Sequence, residues 1–154
     1  MNNVLTVDDV RSKAKLANRQ VKIGVNAFII ARDTEEEAKA VLNEIIGQAN
    51  VEAVNAFGDA TREAGAAAPE REGNWAKSTF DDLVQYNDGF KTNLIGTPQQ
   101  IAERIVVLKN VGVDLVLSGF LHFIEEVEYF GAKVLPLVRQ LEQQQEQRLA
   151  AKSA

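Results

Sequence analysis

The sequence contains no cysteine. That absence excludes disulfides, thiolate metal ligands and cysteine nucleophiles, and it is compatible with a reducing compartment. Histidine is scarce too, with His122 standing alone among 154 residues. No zinc-ligand spacing, Walker-type loop, nucleophile elbow or close pair of isolated carboxylates is present, which leaves hydrolase and kinase chemistry without residues to carry it. Positive charge is in the minority, 17 basic against 22 acidic residues for a net charge of −5. No run of Lys or Arg interleaves with aromatic residues, so nucleic acid is not an expected partner. Nor is a membrane: no stretch offers the roughly 20 apolar residues of a span, and Met1 to Asp9 lacks a basic leader with an apolar core. The expectation is a cytoplasmic protein.

What is present is a 45% hydrophobic chain of a length suited to one domain with its own core. Thr6 with Asp9 predicts a helix start, with Val10, Ala14 and Ala17 on one stripe and Asn18-Arg19 as its end. Residues 21–31, VKIGVNAFIIA, are β-branched and apolar on both alternations, as in a strand buried on two faces of a parallel sheet. Thr34 and Glu37 then form a capping box, after which Ala38, Val41, Leu42, Ile45 and Ile46 give the new helix one apolar face.

From Gly47 to about Phe90 the pattern weakens and an insertion is expected. In it Val51, Val54 and Phe57 share a helical face, residues 64–73 read as a loop, and Ser78 with Asp81 and Asp82 caps a short helix. Trp75, Phe80, Leu83 and Tyr86 are its apolar anchors. Residues 92–96 form a short strand candidate, and Thr97-Pro98-Gln99-Gln100 is a second capping box with proline at the first helical position. Ile101, Ile105 and Leu108 face the core, Gly112 supplies a left-handed stop, and 113–118 form another buried strand. The last helix carries Phe123, Val127, Phe130, Val134, Val138 and Leu141 on one stripe, with a kink expected at Pro136. Residues 1–142 thus read as one unit, and 143–154 as a frayed polar tail. Buried strands joined by helical crossovers define a parallel α/β architecture.

The block Asn93 to Arg104, continuing through Gly112-Val113-Asp114, Ser118-Gly119-Phe120-Leu121-His122 and Val134-Leu135-Pro136-Leu137, resembles the C-terminal end of the bacterial luciferase-like flavin-dependent monooxygenases. Asn26 to Ala38 matches the preceding part of that pattern. Leu83 to Phe90 and Gly119 to Phe123 bring the chain nearest to the dimethylsulfone monooxygenase branch. The resemblance implies the C-terminal part of a (β/α)8 TIM barrel, holding its last three strands, with an insertion like the family's mobile active-site segment. A whole barrel takes about 250 residues. It also implies reduced FMN supplied by a separate flavin reductase, dioxygen as co-substrate, and a small organosulfur substrate. The strands that make most flavin phosphate contacts in the family lie outside this sequence.

The same resemblance suggests site residues. In the related alkanesulfonate branch the turn reads Ser-Gly-Tyr-Pro-His, with the tyrosine and histidine lining the barrel mouth; Phe120 and His122 occupy those positions here. His122 is either a catalytic residue or a cap on the last helix. Phe120 lacks the phenol and is left with apolar substrate contact. An arginine and a histidine of that branch correspond to Asn26 and Phe28, and an amide with a phenyl ring suits a neutral sulfone better than an anionic sulfonate. Phe28 reads equally as core. Asn26, set among apolar neighbours, reads as functional because a buried amide without a partner is costly. Thr97 is either an anion site or a cap, and Trp75 either closes over flavin or anchors a loop.

Two functions follow. One is a monooxygenase fragment that works with a missing N-terminal barrel half. The other is a non-catalytic, truncated module that self-associates, because an open sheet edge and an apolar barrel interior demand a cover.

Overall fold

A computed structural model describes residues 3–67, 78–85 and 89–153. The readings made for Trp75 and Tyr86, and for the loop beyond Ala67, lie outside the described residues. The first helix, α1 (Asn3–Leu16), begins before Thr6 and ends where expected, with Asn18 in the left-handed region at φ 52°. The long extended stretch becomes β1 (Gly24–Phe28) and β2 (Ile30–Ala31), interrupted at Ile29. Helix α2 (Glu35–Gly47) starts from the expected capping box, with Thr34 Oγ1 accepting from the Glu37 amide and the Glu37 carboxylate accepting from the Thr34 amide.

The region after Gly47 is more helical than its sequence suggests. Helix α3 (Val51–Ala66) carries Gly65 as a buried helical residue where a loop is expected. Helix α4 (Phe80–Val84) is capped by Thr79 with Asp82, not by Ser78. A 3-10 turn over Gly89–Thr92 leads to β3 (Ile95–Gly96), and α5 (Pro98–Asn110) follows from the Thr97 and Gln100 capping box. Gly112 (φ 95°) then turns the chain, where a Cβ would lie 2.8 Å from Val7 of α1. Arg11 of α1 secures the same corner, donating to Gly112 O at 2.7 Å and to the Asp114 carboxylate at 3.1 Å.

After β4 (Leu115–Gly119), helix α6 (Phe123–Tyr129) runs through a π-helical segment, Phe130–Val134, into α7 (Leu135–Ser153). The irregularity expected at Pro136 therefore takes the form of a widened turn just ahead of it, in which the Leu135 amide bonds to Phe130 O. The tail is not frayed: its Gln, Glu, Arg and Ala residues continue α7 as good helix formers. Two bonds tie α7 to α5, Lys109 to Glu142 at 2.6 Å and Gln145 to Asn110 at 2.9 Å.

Among the described residues the strand pairings are all parallel, Gly24–Phe28 with Leu115–Gly119 and Ile30–Ala31 with Ile95–Gly96. The Ile29 amide donates to Gly119 O at 2.9 Å and the Ile30 amide to Leu94 O at 3.1 Å. Successive amides of an extended chain point to opposite sides, so β3 and β4 lie on opposite edges of the first strand. The first strand is thus central, whereas consecutive strands of a (β/α)8 barrel are successive neighbours. Right-handed crossovers running in opposite directions place their helices on opposite faces of a sheet. That is the distribution seen. Ala27, Ile29 and Ala31 pack with Ile101, Leu108, Val134 and Val138 of α5 and the final helix, while Phe28 and Ile30 pack with Ala38 of α2 and with Phe90.

The burial expected of every strand is not met at the amino end of the sheet. Asn26 is exposed, and Leu115 and Leu117 are 59% and 67% exposed, because α2 covers only the carboxyl half of its face.

Candidate functional site

Two connections meet at the carboxyl ends of the strands. Arg32 and Asp33 lie between β2 and α2, and residues 120–122 lie between β4 and α6. In open parallel sheets this is where ligands bind, outside the strand ends and where the direction of winding reverses. A cleft of about 800 Å3 opens there. Its wall includes four carboxylates, Asp33, Glu37, Glu125 and Glu126, together with Arg32, Tyr129 and His122. Ala31, Ala40 and Val41 provide the apolar part.

Hydrogen bonds organise the charges. Arg32 donates to Ala31 O at 2.7 Å and to Glu126 Oε1 at 2.6 Å. Glu126 Oε2 accepts from the amides of Leu121 at 2.9 Å and His122 at 3.3 Å. Three residues along the helix, the Tyr129 hydroxyl donates to Asp33 Oδ1 at 2.6 Å. Burial, followed by this bond and the Asp33 charge, pushes the Tyr129 phenol up to about 12, so it remains a proton donor across ordinary pH.

Of the candidate site residues named from sequence that the structure describes, His122 alone lines this cleft. It occupies the N-cap position of α6, yet its side chain makes no capping bond, so the reading of His122 as a side-chain cap does not hold. Phe120 packs into the main core, edge-on to Phe130 at 5.8 Å and to Phe123 at 6.4 Å. Phe28 is 9% exposed and edge-on to Phe90 at 5.4 Å. Asn26 pairs in register with Leu117 on the open part of the sheet, and its exposure removes the desolvation reason for giving it a role. Thr97 spends its hydroxyl on the Gln100 amide as a cap.

Arg32, Asp33, Glu126 and Tyr129 escaped the sequence reading. Their signal is a charged pair immediately after a buried strand, and a Glu and Tyr spaced i, i+3 on the helix that follows the last strand.

The lining fits an uncharged ligand better than an anion. Four carboxylates face one guanidinium, and that guanidinium is already paired. The cleft therefore has room for a small neutral molecule or part of a flavin ring, but it does not fit a flavin phosphate. Among the described residues no group of three or more potential metal ligands occurs, and no helix is long and apolar enough to cross a membrane.

Comparison with known proteins defines the family. Residues 4–115 match the family described as luciferase-like monooxygenase, and the chain belongs to that family. It is 79% identical over 136 residues, 88% of its length, to an FMNH(2)-dependent dimethylsulfone monooxygenase of Pseudomonas fluorescens. It is 75% identical over 138 residues, 90% of its length, to the FMNH(2)-dependent dimethylsulfone monooxygenase of Pseudomonas putida. The chain spans 37% and 38% of the length of these two relatives.

Proposed function

We propose that the chain is the C-terminal portion of a cytoplasmic, reduced-FMN-dependent monooxygenase acting on a small neutral organosulfur compound such as a sulfone. The observation that carries this reading is the 79% identity to a dimethylsulfone monooxygenase across 88% of the chain. In the complete protein, residues 1–142 supply the last three strands of a barrel, in successive order and not with the first strand central as here, with the segment 47–90 as an insertion, and 143–154 extend from its last helix. The missing N-terminal half provides the other strands and the flavin phosphate contacts, since the carboxylate-rich cleft here disfavours a dianion. Reduced FMN, delivered by a flavin reductase, supplies the oxygenation chemistry together with dioxygen.

The residues of this chain bind, orient and exclude water. His122 stands at the cleft as its imidazole side chain and is proposed as the catalytic residue. Tyr129 is held as a neutral donor on the adjoining wall. Ala40 and Val41 give the methyl groups of a small neutral substrate an apolar surface. Asn26, Phe28 and Phe120 are proposed as substrate-facing in the complete protein, where a barrel's strand order replaces the one seen here and takes α2 off the face that Asn26 and Phe28 share.

The test is complementation. The N-terminal part of a relative, combined with this chain, is expected to oxidise dimethylsulfone with reduced FMN, while the chain alone binds reduced FMN weakly. His122→Ala in the combined protein is expected to lower turnover strongly with little change in melting temperature. Submicromolar flavin binding by the chain alone, or unchanged turnover in the variant, would sink this assignment.

A second reading, a self-associating module that binds no flavin, is favoured by the exposed Leu115 and Leu117. Sedimentation with and without the N-terminal part separates the two: a module of this kind forms stable homo-oligomers that the N-terminal part does not dissolve.

A further inference from the structure

We infer that Arg32 and Glu126 form a clasp whose task is to position His122, which makes both of them positioning residues for the site. The inference rests on the proposed reading of His122 as the group that meets the substrate. Its physical basis lies in how the two side chains are held and in what they hold.

The ion pair is tertiary, joining residues 94 positions apart, and it is partly buried, with the side chains 25% and 11% exposed. By contrast Lys13–Asp9, Lys39–Glu35 and Arg62–Asp59 are helix-surface pairs at i, i+3 or i+4, of the kind that contributes little. A carboxylate as enclosed as that of Glu126 persists only when its oxygens are satisfied, and here both are. One oxygen takes the Arg32 guanidinium, and the other takes two successive amides, those of Leu121 and His122. The Glu126 amide in turn donates to His122 O at 3.0 Å. Both polar backbone atoms of His122 are therefore bonded to Glu126.

Arg32 has its own anchor, the bond to Ala31 O at the end of β2. The chain of contacts runs from the central strand through Arg32 and Glu126 to the backbone that carries the imidazole. A side chain exposed at a cleft and without bonds of its own among the described residues depends on its backbone for direction. The clasp supplies that direction, and it ties the turn after β4 to the strand on the opposite wall.

Two measurements test this, the first without reference to activity. In hydrogen exchange read by mass spectrometry, Glu126→Ala is expected to speed exchange of the Leu121 and His122 amides by about 10-fold or more. Glu126→Gln, which keeps an acceptor oxygen, is expected to restore much of the protection. Arg32→Ala, which touches neither amide, is expected to raise their exchange several-fold while the amides of α5 stay as they were. The second measurement is a double-mutant cycle in the complemented protein. Glu126→Ala is expected to reduce kcat about 10-fold with KM little changed when His122 is present, and to have less than about a 2-fold effect when His122 is already alanine.

Unchanged exchange at Leu121 and His122 in the Arg32 and Glu126 variants overturns the clasp, as does an equal loss of kcat in both histidine backgrounds. If the complemented wild type shows no turnover, the monooxygenase reading fails instead, and the exchange experiment alone then decides whether the clasp exists.

Discussion

The two faces of the sheet are made from the same strands but meet different surroundings. On one, Ala27, Ile29 and Ala31 are covered by α5 and the final helix, and Ile29, Ile101 and Val134 are completely buried. On the other, cover extends over Phe28 and Ile30 and stops short of Asn26, Leu115 and Leu117. Leucines of a parallel strand left in water signal a missing neighbour, since such strands are normally covered on both sides. The contrast teaches that the chain holds one finished core and one surface built for something else to lie on.

The sharpest way to break this comparison is truncation on each side. Ile101→Ala is expected to cost about 3 kcal/mol in denaturant unfolding, as for a large-to-small change at a fully enclosed site. Leu117→Ala, measured at a concentration low enough to keep the chain monomeric, is expected to cost less than about 0.5 kcal/mol. Similar costs at both positions would mean that the second face is covered after all. Next in size is the effect on association: the chain alone is expected to sediment as dimers or larger species, and replacing Leu115 and Leu117 together by lysine is expected to weaken that association at least about 10-fold. A monomer in the unsubstituted chain breaks the inference of a missing neighbour.

Smaller effects sharpen the contrast at the sheet ends. Thr97→Ala removes the cap that starts α5, and about 1 kcal/mol of stability is expected to go with it. At the cleft, the Tyr129 phenol titrates near 12 against an ordinary value of 10.0. Because the folded-state value is the higher one, the neutral phenol's contribution to stability is complete below pH 10 and is lost as the pH rises toward 12. Phenolate absorbance in a Tyr86→Phe background is expected to report that late titration, and Asp33→Asn is expected to move it downward.

Local signals in the sequence were faithful. The Thr34 and Thr97 capping boxes, the helix end at Asn18, the left-handed stop at Gly112, and the buried stripe of α5 all depend on neighbours a few residues away. What failed was whatever depends on distant chain. The alanines and Gly65 at the end of α3 suit a loop or a helix equally, and propensity alone could not choose. The glutamine-rich end reads as a tail because its apolar stripe fades, yet α5 provides partners for Glu142 and Gln145. The apolar sequence neighbours of Asn26 suggest burial, whereas a central strand with one open half leaves it exposed. In the cleft, His122 stood out because it is the sole histidine. Arg32 and Glu126 look like ordinary surface charges until folding brings them together across 94 positions.

The π-helical segment has a consequence for direction. An α-helix turns about 100° per residue, and a turn widened by one residue shifts everything beyond it by about that angle. The apolar stripe written along the final helix is therefore two stripes out of phase. At the end of the widened turn and below it, Val134 and Val138 point into the core; above it, Phe123 and Val127 are rotated outward and are 66% and 38% exposed. The same rotation brings Glu126 and Tyr129 round to Arg32 and Asp33. One surplus residue thus acts as a swivel, letting a single helix serve the core with one end and the cleft with the other.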